Sequence, residues 1–327
     1  MIGWYVNDHG SGHAQRLVCV SPHLRTPVTG LSSLARPASF GGPWMQLPSD
    51  RPTGTDVDVD AGGTLHWAPR HHAGLRQRMS AIAAWVERVE PALMVVDVSV
   101  EVALLARTLG VPVIVVAMRG DRSDRPHRLA YELADALLAP WPAEFAESWP
   151  DSWSEKTWHV GAFSRFDGRR VSAPPGRRRV VVLWGSGGSD VSVADVAAAR
   201  AATPQWTWEV SGLPGSSWTQ DAWSLLQEAD VVVCHAGQNV LAEVAAARRP
   251  AIVIPQHRPF GEQAASGAAL TAAGLALVRP EWPRPEDWPA LLAQAAGSQP
   301  GDWTRWSDGQ GAQRAARLLD GAVCAPR

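Results

Sequence analysis

The chain has 327 residues, of which 46% are hydrophobic and 19% charged, enough apolar material for two ordinary domains and no case for global disorder. Thirty basic residues against 32 acidic ones leave a formal charge of −2, which argues against a partner held through nucleic-acid phosphates. No apolar run approaches the ~18 residues that span a bilayer, residues 1–12 lack the regions of a signal peptide, and Cys19, Cys234 and Cys324 fit neither a disulfide framework nor a zinc site, so a reduced, cytoplasmic protein is expected.

Residues 2–6 read as a strand, followed by the turn Asn7-Asp8-His9-Gly10-Ser11-Gly12 and a helix from about His13. The turn is not a dinucleotide fingerprint, because Gln15 stands where the third glycine belongs, and no Walker lysine exists anywhere. His13 falls in the first helical turn. A lone histidine is usually structural, and its promotion depends on Asp97, which ends the apolar run 93–96 and is placed to hold one imidazole tautomer. Between them, Asp56-Val57-Asp58-Val59-Asp60 contains a literal D-x-D. It reads as an exposed alternating stretch, valines one way and aspartates the other. His66, His71 and His72 lack zinc spacing and carboxylate or cysteine company, so no metal is assigned. A helix stopping at Gly110, with Pro112 beyond it, leads into another apolar run at 113–116.

Residues 164–179, with Arg169, Arg170, Pro174, Pro175 and Gly176, read as a linker. A second series then opens with a strand at 180–183 and the loop Trp184-Gly185-Ser186-Gly187-Gly188-Ser189. Further strands fall at 206–210, 231–234 and 251–254, a proline-rich loop at 280–289 and an amphipathic helix at 308–319. The alternation describes α/β architecture with two open parallel sheets: a domain at 1–163, the linker 164–179, a domain at 180–305, and a last segment, 306–327, returning to the first domain. Ligands of such sheets bind beyond the carboxyl ends of the strands. Seventeen tryptophans offer flat faces for a sugar, without composition saying which ones do so.

The most informative loop is His235-Ala236-Gly237-Gln238-Asn239, before an alanine-rich helix at 240–247. The free N–H groups and positive end of that helix suit a phosphate, and Gly237 lets the backbone come close. Glu243, one turn after Asn239, is placed to accept from ribose hydroxyls; the plain alternative is a capping Asn239 and a solvated Glu243. Glu262 and Gln263 open the helix after the turn at 255–261, where a carboxylate and an amide suit sugar hydroxyls, or the acid merely favours the helix dipole.

In this order the three loops resemble GT-B glycosyltransferases, nearest to the peptidoglycan lipid-linked N-acetylglucosaminyltransferases and related nucleotide-sugar transferases. The segment HAGQNVLAEVAAARRPAIVIPQHRPFGEQ, residues 235–263, carries the resemblance. It implies a GT-B fold, two Rossmann-like domains facing a central cleft, the first for the acceptor and the second for the donor. It further implies that His235, Gly237, Gln238 and Asn239 meet the donor diphosphate, Glu243 the ribose, and Glu262 with Gln263 the sugar. Gly10, Ser11 and Gly12 are similar to the acceptor-side glycine loop, and Gly185, Ser186, Gly187 and Gly188 to the donor-side one. The general-base role falls on His13, with Asp97 as its partner. One departure is local: Arg16 stands where the family's histidine loop has proline.

The implied activity is metal-independent, inverting transfer of a sugar from a UDP or dTDP donor to an acceptor hydroxyl, with no cofactor. The partners are the donor and a small-molecule, polymer or lipid-linked acceptor; the loops in 36–72, with Trp44 and Trp67, are the candidate acceptor contacts. A lipid acceptor is compatible with peripheral contact at the inner membrane, and the protein is expected as monomer or homodimer. A nucleotide-sugar 2-epimerase of the same fold and a non-catalytic nucleotide-sugar binder stay open. An NAD-type oxidoreductase is disfavoured by the missing third glycine.

Overall fold

A computed structural model describes every residue except 11, 186–188, 214–215, 217–220, 299 and 325–327. The first half contains β1 (Ile2–Val6), α1 (Gly12–Val20), β2 (Val28–Ser32), β3 (Trp44–Gln46), α2 (Ala73–Val89) and β4 (Leu93–Asp97). It continues with α3 (Val100–Thr108), β5 (Val113–Val116), α4 (Arg125–Leu133), β6 (Ala136–Ala139), α5 (Asp151–Ser154) and β7 (Thr157–His159). These strands form one parallel sheet in the order β3-β2-β1-β4-β5-β6-β7.

The second half contains β8 (Arg179–Leu183), α6 (Val193–Ala202), β9 (Thr207–Ser211), α7 (Ala222–Glu228), β10 (Val231–Cys234) and α8 (Gln238–Ala247). After them come β11 (Ala251–Val253), α9 (Glu262–Ala273), β12 (Leu277–Val278), α10 (Trp288–Ala296) and α11 (Gly311–Cys324). The second sheet is also parallel, in the order β12-β11-β10-β8-β9.

Helical crossovers cover both faces of each sheet, so the central strands are apolar throughout rather than alternating. Along β1, Tyr5 enters one buried cluster while Ile2, Trp4 and Val6 enter the cluster on the opposite face. Side chains close the helix starts: Ser99 accepts from Val102 N–H, and Asp124 from His127 N–H. The last helix, α11, crosses to the first half. There Ala315, Ala316 and Leu319 join Leu17 and Val20 in one buried cluster, and Asp320 accepts from Arg25 and Thr26 N–H. No helix among the described residues is long and apolar enough to cross a membrane.

Strands β2, β3, β6, β7 and β12 have two to five residues each, and their sequences gave no signal. Ala-Leu-Leu-Ala at β6 is a helix former by propensity, overridden by its place between β5 and β7. The expected alternation at 56–60 is corrected. Asp58 adopts φ 50° in a turn, Val57 is 62% exposed, and the aspartates serve local ties, Asp56 to Thr53 and Asp58 to Arg70. The expected loop at 280–289 also shortens, since α10 already begins at Trp288.

One buried cation ties the second half together. Arg249, fully buried, donates to the carbonyls of Leu226, Ser172 and Gln227, and its own carbonyl accepts from the Trp303 indole. Arg249→Met takes the donor from three backbone carbonyls, of which that of Leu226 belongs to a buried residue, so unfolding free energy in urea should fall by about 2 kcal/mol. A loss under about 1 kcal/mol would show those carbonyls finding water instead.

Candidate functional site

The carboxyl ends of both sheets meet at the cleft, and each contributes a loop and a helix start. On the first side, β1 and β4 pair with Val6 opposite Asp97, so the loop after β1 and the end of β4 are neighbours. His13 Nδ1 lies 2.8 Å from Asp97 Oδ1, and Asp97 is fully buried. Nδ1–H therefore donates to the carboxylate, leaving Nε2 without a hydrogen-bond partner among the described residues. Val98, immediately after, has φ 61°, a costly conformation for a β-branched residue. Asn7 Nδ2 holds it by donating to its carbonyl at 2.7 Å. Backbone strain at the end of β4 thus accompanies the aim of Asp97. Gly10, with φ 86°, is exposed in the loop before α1, and Gly12 begins the helix.

On the second side, α8 starts earlier than expected, at Gln238, with Gly237 as N-cap and no side chain capping it. The N–H groups of its first turn are therefore uncapped donors at the positive end of a buried helix. Behind them sits His235. Its Nδ1 accepts from Gly237 N–H at 2.9 Å, and burial, reinforced by the Arg258 charge, lowers its pKa to about 4. The ring is neutral at pH 7 with its proton on Nε2, and that buried Nε2–H has no partner among the described residues. Two glycines make room for this arrangement. A Cβ at Gly185 would lie 2.9 Å from His235 Nε2, and one at Gly237 would lie 2.2 Å from its Cε1. An orphaned donor and an uncapped helix start, side by side, are what an anion needs.

Gln263 has a different placement. Its amide oxygen accepts from Ala236 N–H at 3.0 Å and Gln256 N–H at 2.9 Å, fastening the loops after β10 and β11 together. Glu243 does share a face with Asn239, but Arg165 from the segment after β7 bonds it at 2.8 Å. Burial raises the Glu243 pKa, and the Arg165 charge opposes that rise. A groove of about 550 Å³, bordered by Gln15, Ser164, Arg165 and Asp221, opens beside the recess holding this pair. The expected residues Ser11, Ser186, Gly187 and Gly188 lie outside the described residues.

The tip of α8 is covered. Arg16 Nη2 donates to Gln238 Oε1 at 2.5 Å, and Asn239 Nδ2 donates to Gly12 O at 3.1 Å, so α1 and α8 touch directly. Recesses of only about 10 and 30 Å³ remain beside this contact. Glu262 lies 4.0 Å from Arg122 Nη2 in a further charge pair across the cleft. Phe260, at φ 62°, sends its ring against His66, His127 and Arg122 of the first half, and its carbonyl accepts from Asp121 N–H.

Several of these residues carried no signal in the sequence. His66 does have carboxylate company, contrary to expectation: Asp124 bonds His66 Nε2 at 2.8 Å and also bonds His127 Nδ1. The three residues could group around a metal, but their ligand atoms already satisfy one another, and Arg122 Nη1 approaches His127 Nε2 at 3.3 Å. A cation in that position opposes a second one. Burial, with the Arg122 charge behind it, lowers the His127 pKa to about 4.

His127 and His235 are thus neutral in the fold and take up protons near pH 6.5 once unfolded. Below pH 6.5 the unfolded chain binds more protons than the folded one, so stability falls as pH drops from about 6.5 towards about 4. Urea midpoints between pH 7 and pH 4 should decline through that window; a flat profile would contradict neutral burial.

Residues 211–286 match the C-terminal domain of glycosyltransferase family 28. No curated protein matches the sequence. Among solved structures, the chain is similar to the glycotransferase of kitacinnamycin, with TM-score 0.70 and 17% identity over 98% of each chain. It is similar to MurG of Acinetobacter baumannii, with TM-score 0.66 and 14% identity over 98% of this chain and 99% of that one. The spinosyn rhamnosyltransferase SpnG complexed with thymidine diphosphate gives TM-score 0.58 and 17% identity, over 99% and 96%. The chain has the GT-B glycosyltransferase fold, two parallel α/β sheets about one cleft, with a family 28 C-terminal domain match spanning the loops at 235–239 and 255–261.

Proposed function

We propose that this protein is an inverting, metal-independent glycosyltransferase that moves a sugar from a UDP or dTDP donor to an acceptor hydroxyl. The observation that carries the reading is the pairing across one cleft of two complementary devices. One is a histidine oriented by a buried aspartate, with Nε2 left over; the other is an uncapped helix start beside an orphaned, neutral imidazole N–H. The solved relative with thymidine diphosphate and the family 28 match over residues 211–286 favour a nucleotide-sugar donor.

In this mechanism the diphosphate docks on the first turn of α8, where N–H groups and His235 Nε2–H take its charge. His13 Nε2 removes the proton of an acceptor hydroxyl while the oxygen attacks the anomeric carbon. The bond from that carbon to the diphosphate breaks, its electron pair leaving with the phosphate oxygen, and direct displacement inverts the centre. Asp97 stabilises the imidazolium until its proton passes to solvent. Donor entry requires the Arg16–Gln238 and Asn239–Gly12 contacts to part, and closure of the two lobes around the substrates then excludes water.

The test is release of nucleoside diphosphate from UDP- and dTDP-sugars, with and without a pool of hydroxyl acceptors, in buffer and in excess chelator. Acceptor-dependent release unaffected by chelator supports the proposal. Interconversion of the donor without acceptor would make the protein an epimerase, nucleotide binding without turnover would make it a sensor, and loss of turnover in chelator would overturn metal independence.

A further inference from the structure

Arg16 does more than bridge the cleft. It is 5% exposed, and its guanidinium joins three groups that the proposed reaction uses. Nη1 donates to Asp97 Oδ1 at 2.5 Å and lies 3.0 Å from His13 Nδ1; Nη2 donates to Gln238 Oε1 at 2.5 Å, at the first residue of α8. Asp97 Oδ1 is therefore shared between His13 and Arg16, while Asp97 Oδ2 and Arg16 Nε, both buried, have no partner among the described residues. A buried pair normally uses its full hydrogen-bonding capacity, so this half-used one suits a contact made to be exchanged. At this same position the resemblance expects a proline, which could make none of these bonds.

The electrostatics set the direction of the exchange. With Arg16 on Asp97, the carboxylate is already neutralised, and a like charge faces any proton on His13. The remaining groups near His13 do not compete: Gln238 and Asn239 of α8 are uncharged, Asp8 is engaged by Ser33 and Arg78, and His9 is turned to solvent against Asn7. A diphosphate on the tip of α8 arrives where Arg16 Nη2 now holds Gln238. A guanidinium prefers a phosphate to a neutral amide oxygen by the strength of a charge-assisted pair.

We propose that Arg16 is a positioning residue that couples donor occupancy to the base: without donor it occupies Asp97, and with a nucleoside diphosphate on α8 it turns to the phosphate and releases Asp97 to His13. His13 is then a strong base only when a donor is present, which protects against idle proton transfer in the empty site. This inference rests on the nucleotide-sugar reading above, and its test separates the two.

The experiment follows the titration of His13 in isotope-labelled full-length protein, with the His13 signal assigned by its loss in His13→Gln. In nucleotide-free protein, Arg16→Gln should raise the His13 midpoint by about one pH unit or more, because a cation beside the ring is gone. UDP or dTDP should raise the midpoint of the parent by more than that of Arg16→Gln, where only the direct charge of the diphosphate acts on the ring. Equal nucleotide-free midpoints in parent and variant, or equal responses to nucleotide, would overturn the coupling. Calorimetry of UDP and dTDP binding is run alongside. If neither binds, the donor reading falls, while the nucleotide-free comparison still decides whether Arg16 governs His13. Arg16→Lys covers the case in which the glutamine variant does not fold. It keeps the charge but not the two-armed fork, so it should keep the parent's nucleotide-free midpoint and lose most of the response; a full response would also overturn the proposal.

Discussion

His13→Ala is expected to lower turnover by a factor on the order of 10²–10⁴ while nucleotide affinity changes little. The separation follows from the geometry. His13 stands on α1, its Nδ1 is committed to Asp97, and the diphosphate contacts proposed here all come from α8 and from His235. Removing the imidazole removes the proton acceptor and nothing from the donor side. The substitution should be tolerated by the fold, since Asp97 keeps its Arg16 partner and alanine favours that helix. The loss should appear in kcat and kcat/KM together, as for an interaction made only in the transition state. Asp97→Asn should fall in the same direction, because an amide oxygen still accepts from Nδ1–H but no longer stabilises a charged ring. Turnover by His13→Ala within about threefold of the parent would remove His13 from the mechanism, and with it the reason to regard Asp97 as its partner.

How far the sequence could reach depended on distance along the chain. Asp97 was legible because a short apolar run ending in an acid, beside a glycine loop, puts the acid at a strand end. The loops at 235–239 and 255–261 were legible as neighbouring strand-to-helix turns because one uninterrupted segment, residues 235–263, carries them. Arg16 was legible only as a departure, an arginine where a proline belongs; its partner Gln238 lies 222 residues away, beyond any local pattern. Arg165 lies 78 residues from Glu243, and no local pattern joins them. Gln263 illustrates a further limit. An amide suits sugar hydroxyls, yet the packing of two loops uses its oxygen for backbone N–H groups. The tryptophans follow the same logic: Trp4, Trp141, Trp184, Trp288 and Trp303 are core residues, and burial rather than sugar stacking accounts for them.

The closed cleft ties these observations to energetics. Several of the contacts that close it are polar, Arg16 to Gln238, Asn239 to Gly12 and Arg122 to Glu262, beside the Phe260 ring against an aromatic and cationic patch. Polar contacts of this kind contribute about 1 kcal/mol each, because water replaces most of what opening removes. Contacts of this kind can part on the μs–ms timescale and reclose over a ligand, with the Phe145–Trp306 packing left in place. A large apolar interface would not allow this. Phe260 is one apolar anchor, beside the Phe145–Trp306 ring pair, and its left-handed backbone marks it as a contact held at some cost in strain.

Nucleotide affinity is expected to fall roughly 10- to 100-fold in His235→Phe, the range for one hydrogen bond to a charged group. Phenylalanine keeps the ring that packs edge-on to Trp184, at a centroid distance of 5.6 Å. It removes the unpartnered Nε2–H and the acceptor of Gly237 N–H. For stability these two losses oppose each other: an orphaned buried donor disappears, and a backbone N–H is left to water or to the ligand, for a net change of about 1 kcal/mol. For an anion at the helix start only the first loss counts, so affinity and stability should separate. Turnover should fall by a further factor on the order of 10², because the leaving diphosphate gains charge as the bond breaks. Since His235 is neutral down to about pH 4, the affinity of the parent should not follow an imidazole titration between pH 5 and 8. Gly185→Ala is the companion variant. Its Cβ would stand 2.9 Å from His235 Nε2, filling the approach to that nitrogen while leaving the imidazole's own bond intact. UDP and dTDP binding that survives both substitutions unchanged would mean that no phosphate docks at this helix tip.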